Sequence, residues 1–291
     1  MVQDKFHALT DRMLTVLQKE QTVHLSQLGI TLYQCNTCID RVVYVKNPSV
    51  CFILQGEKHV YCWKNHIKYV DGQYLCYFVD MPLVGEVRAS RKNPCLGIQM
   101  HLDASILLQL MPVIPNWQRK ESGMEITVGT VDEDILDTLH RLINLACDKK
   151  DDIAVLAPLI KHELHYRLLK TSPGHILQRL LSLGSHEQRI SQAISHLKQH
   201  FSEPLRIEDM AKNAHMSLSV FYRQFRKVTG LSPLQYQKSL KLIEARRLIR
   251  QQQLSVSEIA LHVGYGNLSQ FSREYRQYFG TSPSREKTAQ T

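Results

Sequence analysis

Arg223 and Arg273 hold the same place in two copies of one short pattern, each surrounded at helical spacing by hydroxyl, amide and aromatic side chains. The first copy reads L-R-I-E-D-M-A-K-N-A-H-M-S-L-S-V-F-Y-R-Q-F-R-K-V-T-G-L-S-P (Leu205 to Pro233). The second reads L-S-V-S-E-I-A-L-H-V-G-Y-G-N-L-S-Q-F-S-R-E-Y-R-Q-Y-F-G-T-S-P (Leu254 to Pro283). Ile207 answers to Val256 and Ala211 to Ala260. After one extra residue in the second turn, Phe221 answers to Phe271, Arg223 to Arg273, Phe225 to Tyr275, Gly230 to Gly280 and Pro233 to Pro283. The outward set is Ser219, Tyr222, Arg223 and Arg226 in the first copy, and Ser269, Gln270, Arg273 and Gln277 in the second. Guanidinium, amide and hydroxyl groups on one helix face can hydrogen-bond base edges and phosphates in a major groove wide enough to admit a helix. Arginine suits guanine edges or phosphate, whereas Gln270 and Asn267 suit adenine.

Such side chains need a helix-turn-helix to present them, and each copy has its grammar. Ile207, Met210 and Ala211 fall at i, i+3 and i+4, one buried stripe on a short leading helix. His215-Met216-Ser217 is the break, with Ser217 placed to cap the trailing helix. In that helix Leu218, Phe221, Phe225 and Val228 are expected inward; in the second copy the inward set is Leu268, Phe271, Tyr275 and Tyr278. Between the copies, Leu234 to Gln251 lacks Gly and Pro and carries apolar residues at Tyr236, Leu240, Ile243, Leu248 and Ile249. A single helix there would span roughly 27 Å, against about 34 Å for one DNA turn, so one chain could read two successive major-groove segments.

These residues carry a family resemblance. V-G-Y-G-N-L-S-Q-F-S-R-E-Y-R-Q-Y-F-G-T-S-P (Val263 to Pro283), preceded by S-P-L-Q-Y-Q-K-S-L-K-L-I-E-A-R-R-L-I (Ser232 to Ile249), resembles the DNA-binding domain of AraC/XylS-type transcription regulators. The resemblance implies a seven-helix domain whose two trailing helices lie in the major groove of double-stranded DNA. By position, the base-facing residues it implies are Ser217, Ser219, Tyr222 and Arg223 in the first unit and Asn267, Ser269, Gln270 and Arg273 in the second, with Arg226 on the same face.

Charge agrees with that placement. The net formal charge of +9 over 291 residues is concentrated at one end: 16 Lys and Arg against 8 Asp and Glu from His186 onward, but 20 against 19 before it. Phosphate neutralisation would need this excess where the repeats lie. No run of eighteen apolar residues suggests a membrane span. The opening M-V-Q-D-K-F-H-A-L-T-D-R-M-L has acids and no uninterrupted apolar region, unlike a signal peptide. With the family resemblance this implies a bacterial cytoplasmic location, where the odd number of cysteines, seven, would be reduced thiols.

Ahead of the repeats, residues 4 to 28 suggest an opening helix, with Phe6, Leu9, Met13, Leu14 and Leu17 at helical spacing. From Ile30 to Met100 short runs rich in Val, Tyr, Cys, Ile and Phe alternate with turn residues, indicating an antiparallel sandwich or barrel. P-S-V-C-F-I-L-Q-G-E-K-H-V (Pro48 to Val60), D-G-Q-Y-L-C-Y-F-V-D-M-P (Asp71 to Pro82) and H-E-L-H-Y-R-L-L (His162 to Leu169) are similar to the cupin-like N-terminal domain of one AraC subgroup, which implies an effector-sensing or regulatory part. Helices are expected over Asp103 to Met111, ended by Pro112 and Pro115, and over Asp132 to Cys147 and Ile153 to Leu169. The last two can cover the barrel or pair with a second subunit, and the resemblance favours a homodimer. Thr171 to His175 and Leu181 to His186 read as the joint.

Other chemistry is weaker. Cys35-x-x-Cys38 has the spacing of a zinc or redox pair, but Cys51, Cys62, Cys76 and Cys95 are scattered singly, and structural thiols are favoured over a thiol switch. His59 lies in H-V-Y-C-W and His66 stands alone, a departure from the His-x-His cluster of metal-binding cupins, so no metal and no cofactor are expected. His162 and His165 read as surface or packing residues. Tyr61, Trp63, Tyr74, Tyr77 and Phe78 suit a pocket or a core. No nucleophile elbow or phosphate-cradling loop is present, so no catalytic residue is assigned.

The expected fold is α+β: a cupin-like β-barrel with flanking helices over residues 1–170, a joint over 171–187, and an all-α domain of about seven helices over 188–291. Within the last, helix-turn-helix units fall at about 206–229 and 255–280, around a connector at about 233–251. The function read from it is a sequence-specific DNA-binding transcription regulator, an activator, modulated by a small-molecule effector and able to meet RNA polymerase. The rivals are a thiol-based redox or electrophile sensor, and a cupin-type metalloenzyme fused to a DNA-binding domain.

Overall fold

The structure is a computed structural model that describes residues 2–17, 20–62, 65–114, 126–148, 150–182 and 184–288. Trp63, Pro115 and Leu183 lie outside the described residues. Two compact units are present: Met1–Val42 with Lys46–Gln188, and Val43–Val45 with Arg189–Thr291. No described helix is long and apolar enough to cross a membrane.

The first unit opens with helix α1 (Val2–Leu17). It is shorter than its periodicity suggested, because Thr22–Leu25 pair as a strand, β1, with Ile30–Cys35, β2. Eight further strands follow: β3 (Ile39–Lys46), β4 (Ser49–Gln55), β5 (Glu57–Cys62), β6 (Asn65–Val70), β7 (Gln73–Tyr77), β8 (Met81–Arg88), β9 (Cys95–His101) and β10 (Ile126–Thr130). They form two sheets, β1-β2-β9-β4-β7-β10 and β3-β8-β5-β6, an antiparallel sandwich of the cupin-like kind with no ladder closing it into one barrel among the described residues. β8 begins at Met81, and Pro82 sits at the start of the strand, where the missing N–H costs least.

Burial explains the order. β4 (S-V-C-F-I-L-Q) is buried on both faces, as a central strand with an unbroken apolar run should be. Register places Ile30 and Val50 beside Met100, and Leu32 and Phe52 beside Ile98, a single apolar face. Against the six-stranded sheet packs α1, through fully buried Leu9, Met13 and Leu17; α3 (Glu133–Asp148) packs on α1, and α4 (Ile153–Leu169) on α3. A shorter helix, α2 (Ala104–Leu110), is capped by Asp103, and Gly174–Leu181 of the expected joint form α5.

The second unit contains seven described helices: α6 (His186–Gln199), α7 (Ile207–Asn213), α8 (Leu218–Thr229), α9 (Pro233–Gln251), α10 (Val256–His262), α11 (Leu268–Phe279) and α12 (Pro283–Thr288). Its two small cores are aromatic. Phe225 meets Tyr236 edge-on at 5.5 Å in the first, and Phe271 lies between Tyr265 and Tyr275 at 5.3 and 5.6 Å in the second.

Candidate nucleic-acid interface

The turn between α7 and α8 is made by His215 in a left-handed conformation (φ 51°), after which the Met216 N–H returns to the Ala211 carbonyl at 2.9 Å. The second unit repeats this with Gly264 (φ 80°) and the Tyr265 N–H on the Ala260 carbonyl at 2.9 Å. The extra residue of the second copy, Gly266, follows that turn. A side chain at Gly264 would run into the backbone carbonyl of Ser202, so close approach as well as φ demands glycine there.

Both trailing helices start on side-chain caps. The Ser217 hydroxyl accepts from the Val220 N–H at 3.4 Å, and the Asn267 side-chain oxygen from the Gln270 N–H at 3.0 Å. Both end on left-handed glycines, Gly230 and Gly280. Phe221, Phe225, Phe271 and Tyr275 are fully buried, which turns the opposite faces outward. Ser219, Arg223 and Arg226 are exposed on α8, with Tyr222 half-buried beside them; Ser269, Gln270 and Arg273 are exposed on α11. Ser217 and Asn267, read as base-facing, are exposed but spend a side-chain acceptor on their own helix. Leu218 and Leu268 were expected inward and are instead exposed: each leads its helix, ahead of the turn that the core covers. Tyr278 is half-buried.

The two faces differ electrostatically. On α8 an open groove of about 440 Å³ is lined by Tyr222, Arg223, Arg226, Lys227 and Ser232, with three cations and no acid. On α11 a carboxylate stands behind the exposed polar face: Glu274 accepts from the Gln270 side-chain amide at 3.2 Å and from the Tyr265 hydroxyl at 2.9 Å. Gln270 is thereby oriented with its amide oxygen left for other partners.

The scaffold comes largely from residues that periodicity did not single out. Helix α9, 19 residues long and about 28 Å by its rise, begins on a reciprocal capping box between Ser232 and Gln235. Gln237 donates to the Phe201 and Glu203 carbonyls at 2.9 and 2.7 Å. Lys241 donates to the Gly264 carbonyl at 3.0 Å, and its burial lowers its pKa against the opposing pull of Glu274. Glu286 receives Arg246 at 2.6 Å and the Tyr275 hydroxyl at 2.8 Å. Burial alone would raise the Glu286 carboxyl; these donors and Arg250 hold it below its usual range. A glutamine on the buried side of α9, next to Tyr236, was the one sequence signal available, because a buried amide requires partners.

In the first unit, strand pairing brings His66, solitary in sequence, to 2.8 Å from His59, which also contacts Glu57 at 3.1 Å. Among the described residues no group of three His, Cys, Asp or Glu side chains is arranged to hold a metal ion. All seven cysteines are free. Burial raises the Cys35 and Cys76 thiols and pushes Cys95 to about 11 and Cys62 to about 12, which disfavours the reactive thiolate. Cys38 is exposed and donates to the Ala89 carbonyl at 3.3 Å. Tyr74, Tyr77 and Phe78 are core, and Tyr61 donates to Glu86 at 3.0 Å. A cavity of about 1080 Å³ lies at one end of the sandwich, between Phe6, His7 and Thr10 of α1 and the turns carrying Gly56, Asp71 and Ser90.

An antiparallel sandwich and a separate helical unit with two helix-turn-helices, each offering a polar recognition face, define the class: a two-domain protein of the nucleic-acid-binding type. Residues 28–176 match the family of the AraC-type transcriptional regulator N-terminus, and residues 210–288 match a helix-turn-helix domain family. The chain belongs to the AraC-type transcriptional regulators. Among curated relatives, the HTH-type transcriptional activator RhaS of Salmonella schwarzengrund (strain CVM19633) is 31% identical over 179 residues, 60% of each chain. RhaS of Citrobacter koseri is 29% identical over 243 residues, 82% of this chain and 76% of that one. The aligned part thus spans about 60% of the length of the first of these relatives. Two ToxT structures from Vibrio cholerae share the fold: one from strain O395 at 12% identity and TM-score 0.53 over 94% of this chain and 99% of that one, and an apo form from strain SCE256 at 10% and 0.56 over 90% and 98%.

Proposed function

We propose that this chain is a sequence-specific DNA-binding transcription regulator, an activator, in which residues 188–291 read double-stranded DNA. Residues 1–170 sense an effector and pair two copies, and residues 171–187 join the two parts. The observation that carries the reading is the recurrence of one outward polar face, Ser219 with Arg223 and Ser269 with Arg273, on two helices: α8 packed on the connector α9, and α11 sharing with it the core of Leu242, Ala245, Ile249, Phe271 and Tyr275. Activation rather than repression is supported by the description of the RhaS relatives as activators; contact with RNA polymerase and a cytoplasmic location go with that role.

Two features of the first unit support its part. The 1080 Å³ cavity is of the size that holds a small molecule, with hydrogen-bonding side chains from α1 and three turns. On α4, Val155, Leu159 and Tyr166 are 68%, 64% and 37% exposed along one face, and Leu108 and Val113 add to the exposed apolar surface. Such a stripe suits a second copy of the chain.

Selection of binding duplexes by the full-length protein from a randomised pool tests the reading. A recovered consensus with two elements about one helical turn apart is expected. Retention of all sequences alike, or of none, overturns it.

A further inference from the structure

Leu218 and Leu268 are each the first residue of a recognition helix, directly after the caps Ser217 and Asn267. Both are exposed, at 41% and 44%. Single exposed leucines mean little, because much of any protein surface is apolar. In the helical unit the large exposed hydrophobics among the described residues are Leu218, Leu234, Leu261 and Leu268. The repeat sets Leu234 opposite Ser284 and Leu261 opposite Lys212, so only the helix-leading pair recurs in both copies. Neither core needs them, since Phe221 with Phe225 and Phe271 with Tyr275 are already fully buried.

Direction gives the pair a target. Cα–Cβ bonds in a helix tilt toward its N-terminus, so a leucine at the first position projects forward of the helix, ahead of Ser219 and Arg223 or Ser269 and Arg273. In a helix-turn-helix the N-terminal residues of the recognition helix meet the base edges. The major-groove floor presents donors, acceptors and one aliphatic group, the C5-methyl of thymine. We propose that Leu218 and Leu268 each pack on a thymine methyl, so that each unit reads one pyrimidine position by apolar contact while its polar neighbours read the adjacent hydrogen-bonding edges. Thymine is thereby separated from cytosine, which lacks the methyl. This inference rests on the DNA-reading function proposed above.

The test uses the full-length protein and its selected duplex, with each thymine replaced in turn by deoxyuridine, which removes the methyl and leaves the pairing intact. Wild-type protein is expected to lose about fourfold in affinity at one position in each half of the site, the equivalent of one methyl group returned to water. Leu268→Ala should weaken binding to the thymine duplex by at least that factor and show no further loss on deoxyuridine at its own position. Leu218→Ala should behave likewise in the other half. Deoxyuridine tolerated everywhere, or variants that keep the full wild-type deoxyuridine penalty, would overturn the proposal while leaving DNA recognition standing. Failure to select any duplex removes the DNA reading itself and this inference with it. The wild-type scan needs no variant to fold.

Discussion

Tyr275, on the second recognition helix, donates its hydroxyl to Glu286 of the final helix at 2.8 Å, and the same carboxylate receives Arg246 from the connector at 2.6 Å. Three helices therefore meet on one buried acid that is 8% exposed. Glu286→Gln keeps the shape but leaves the Arg246 guanidinium without its counter-charge, at a cost of about 2 kcal/mol. Amide exchange in α11 and α12 is expected to speed up roughly 30-fold. Unchanged exchange would show that the network is not what holds the reading helix.

His215 and Gly264 occupy the same place in the two turns, both left-handed, but only Gly264 abuts a backbone carbonyl. Gly264→Ala is expected to destabilise the second unit by more than about 3 kcal/mol, combining strain with a clash that backbone cannot relieve. His215→Gly trades relief of strain against entropy and should change stability by less than about 1 kcal/mol. Thermal melting of the two variants checks the asymmetry.

In the first unit His165 is fully buried, accepting from the Asp103 N–H at Nε2 (2.9 Å) and donating from Nδ1 to the Lys161 carbonyl (2.7 Å). A second proton would face an N–H donor, and burial lowers the pKa, though the Lys161 carbonyl and Asp103 oppose it. Because the folded value is depressed, the unfolded chain binds the proton first. Stability is complete above about pH 6.5 and is lost as pH falls from there through the folded value, by up to about 1.4 kcal/mol per unit. His165→Gln should flatten the pH dependence of unfolding over that interval.

The apolar stripe on α4 offers a direct check of assembly. Leu159, 64% exposed, is replaced by Glu with little expected cost to the folded unit. Sedimentation should show the wild type as a dimer and Leu159→Glu as a monomer. A dimer in both would move the interface elsewhere.

Arg223→Ala and Arg273→Ala separate base readers from phosphate contacts. For a base reader, about 1 to 3 kcal/mol is lost on the cognate duplex, with specificity relaxed at one position. A phosphate contact weakens all sequences alike and lowers the salt slope by about one. Binding isotherms at several salt concentrations distinguish the two for each arginine.

Periodicity and punctuation determined much of this protein in advance. Helical spacing over Ile207 to Ala211 and Phe221 to Val228, the Ser217 cap, the glycines at 230 and 280, and the Gly- and Pro-free connector are local features, set by side chains a few residues apart. The doubled pattern likewise marked Arg223 and Arg273 as outward partners. What depended on distant contacts was not legible. Whether Leu218 lies in the core or in water turns on how much the aromatic pair already fills. That Thr22–Leu25 leave the opening helix depends on β2 being present to pair with them. Gln237, Lys241, Glu274 and Glu286 acquire their roles only when α9, α11, α12 and the turns are brought together, because a hydrogen bond or ion pair has a direction and a length that spacing along a chain does not encode. The exposed face of α4 was hidden for the same reason: its apolar residues outnumber the surface available to cover them, and only packing decided which were left out.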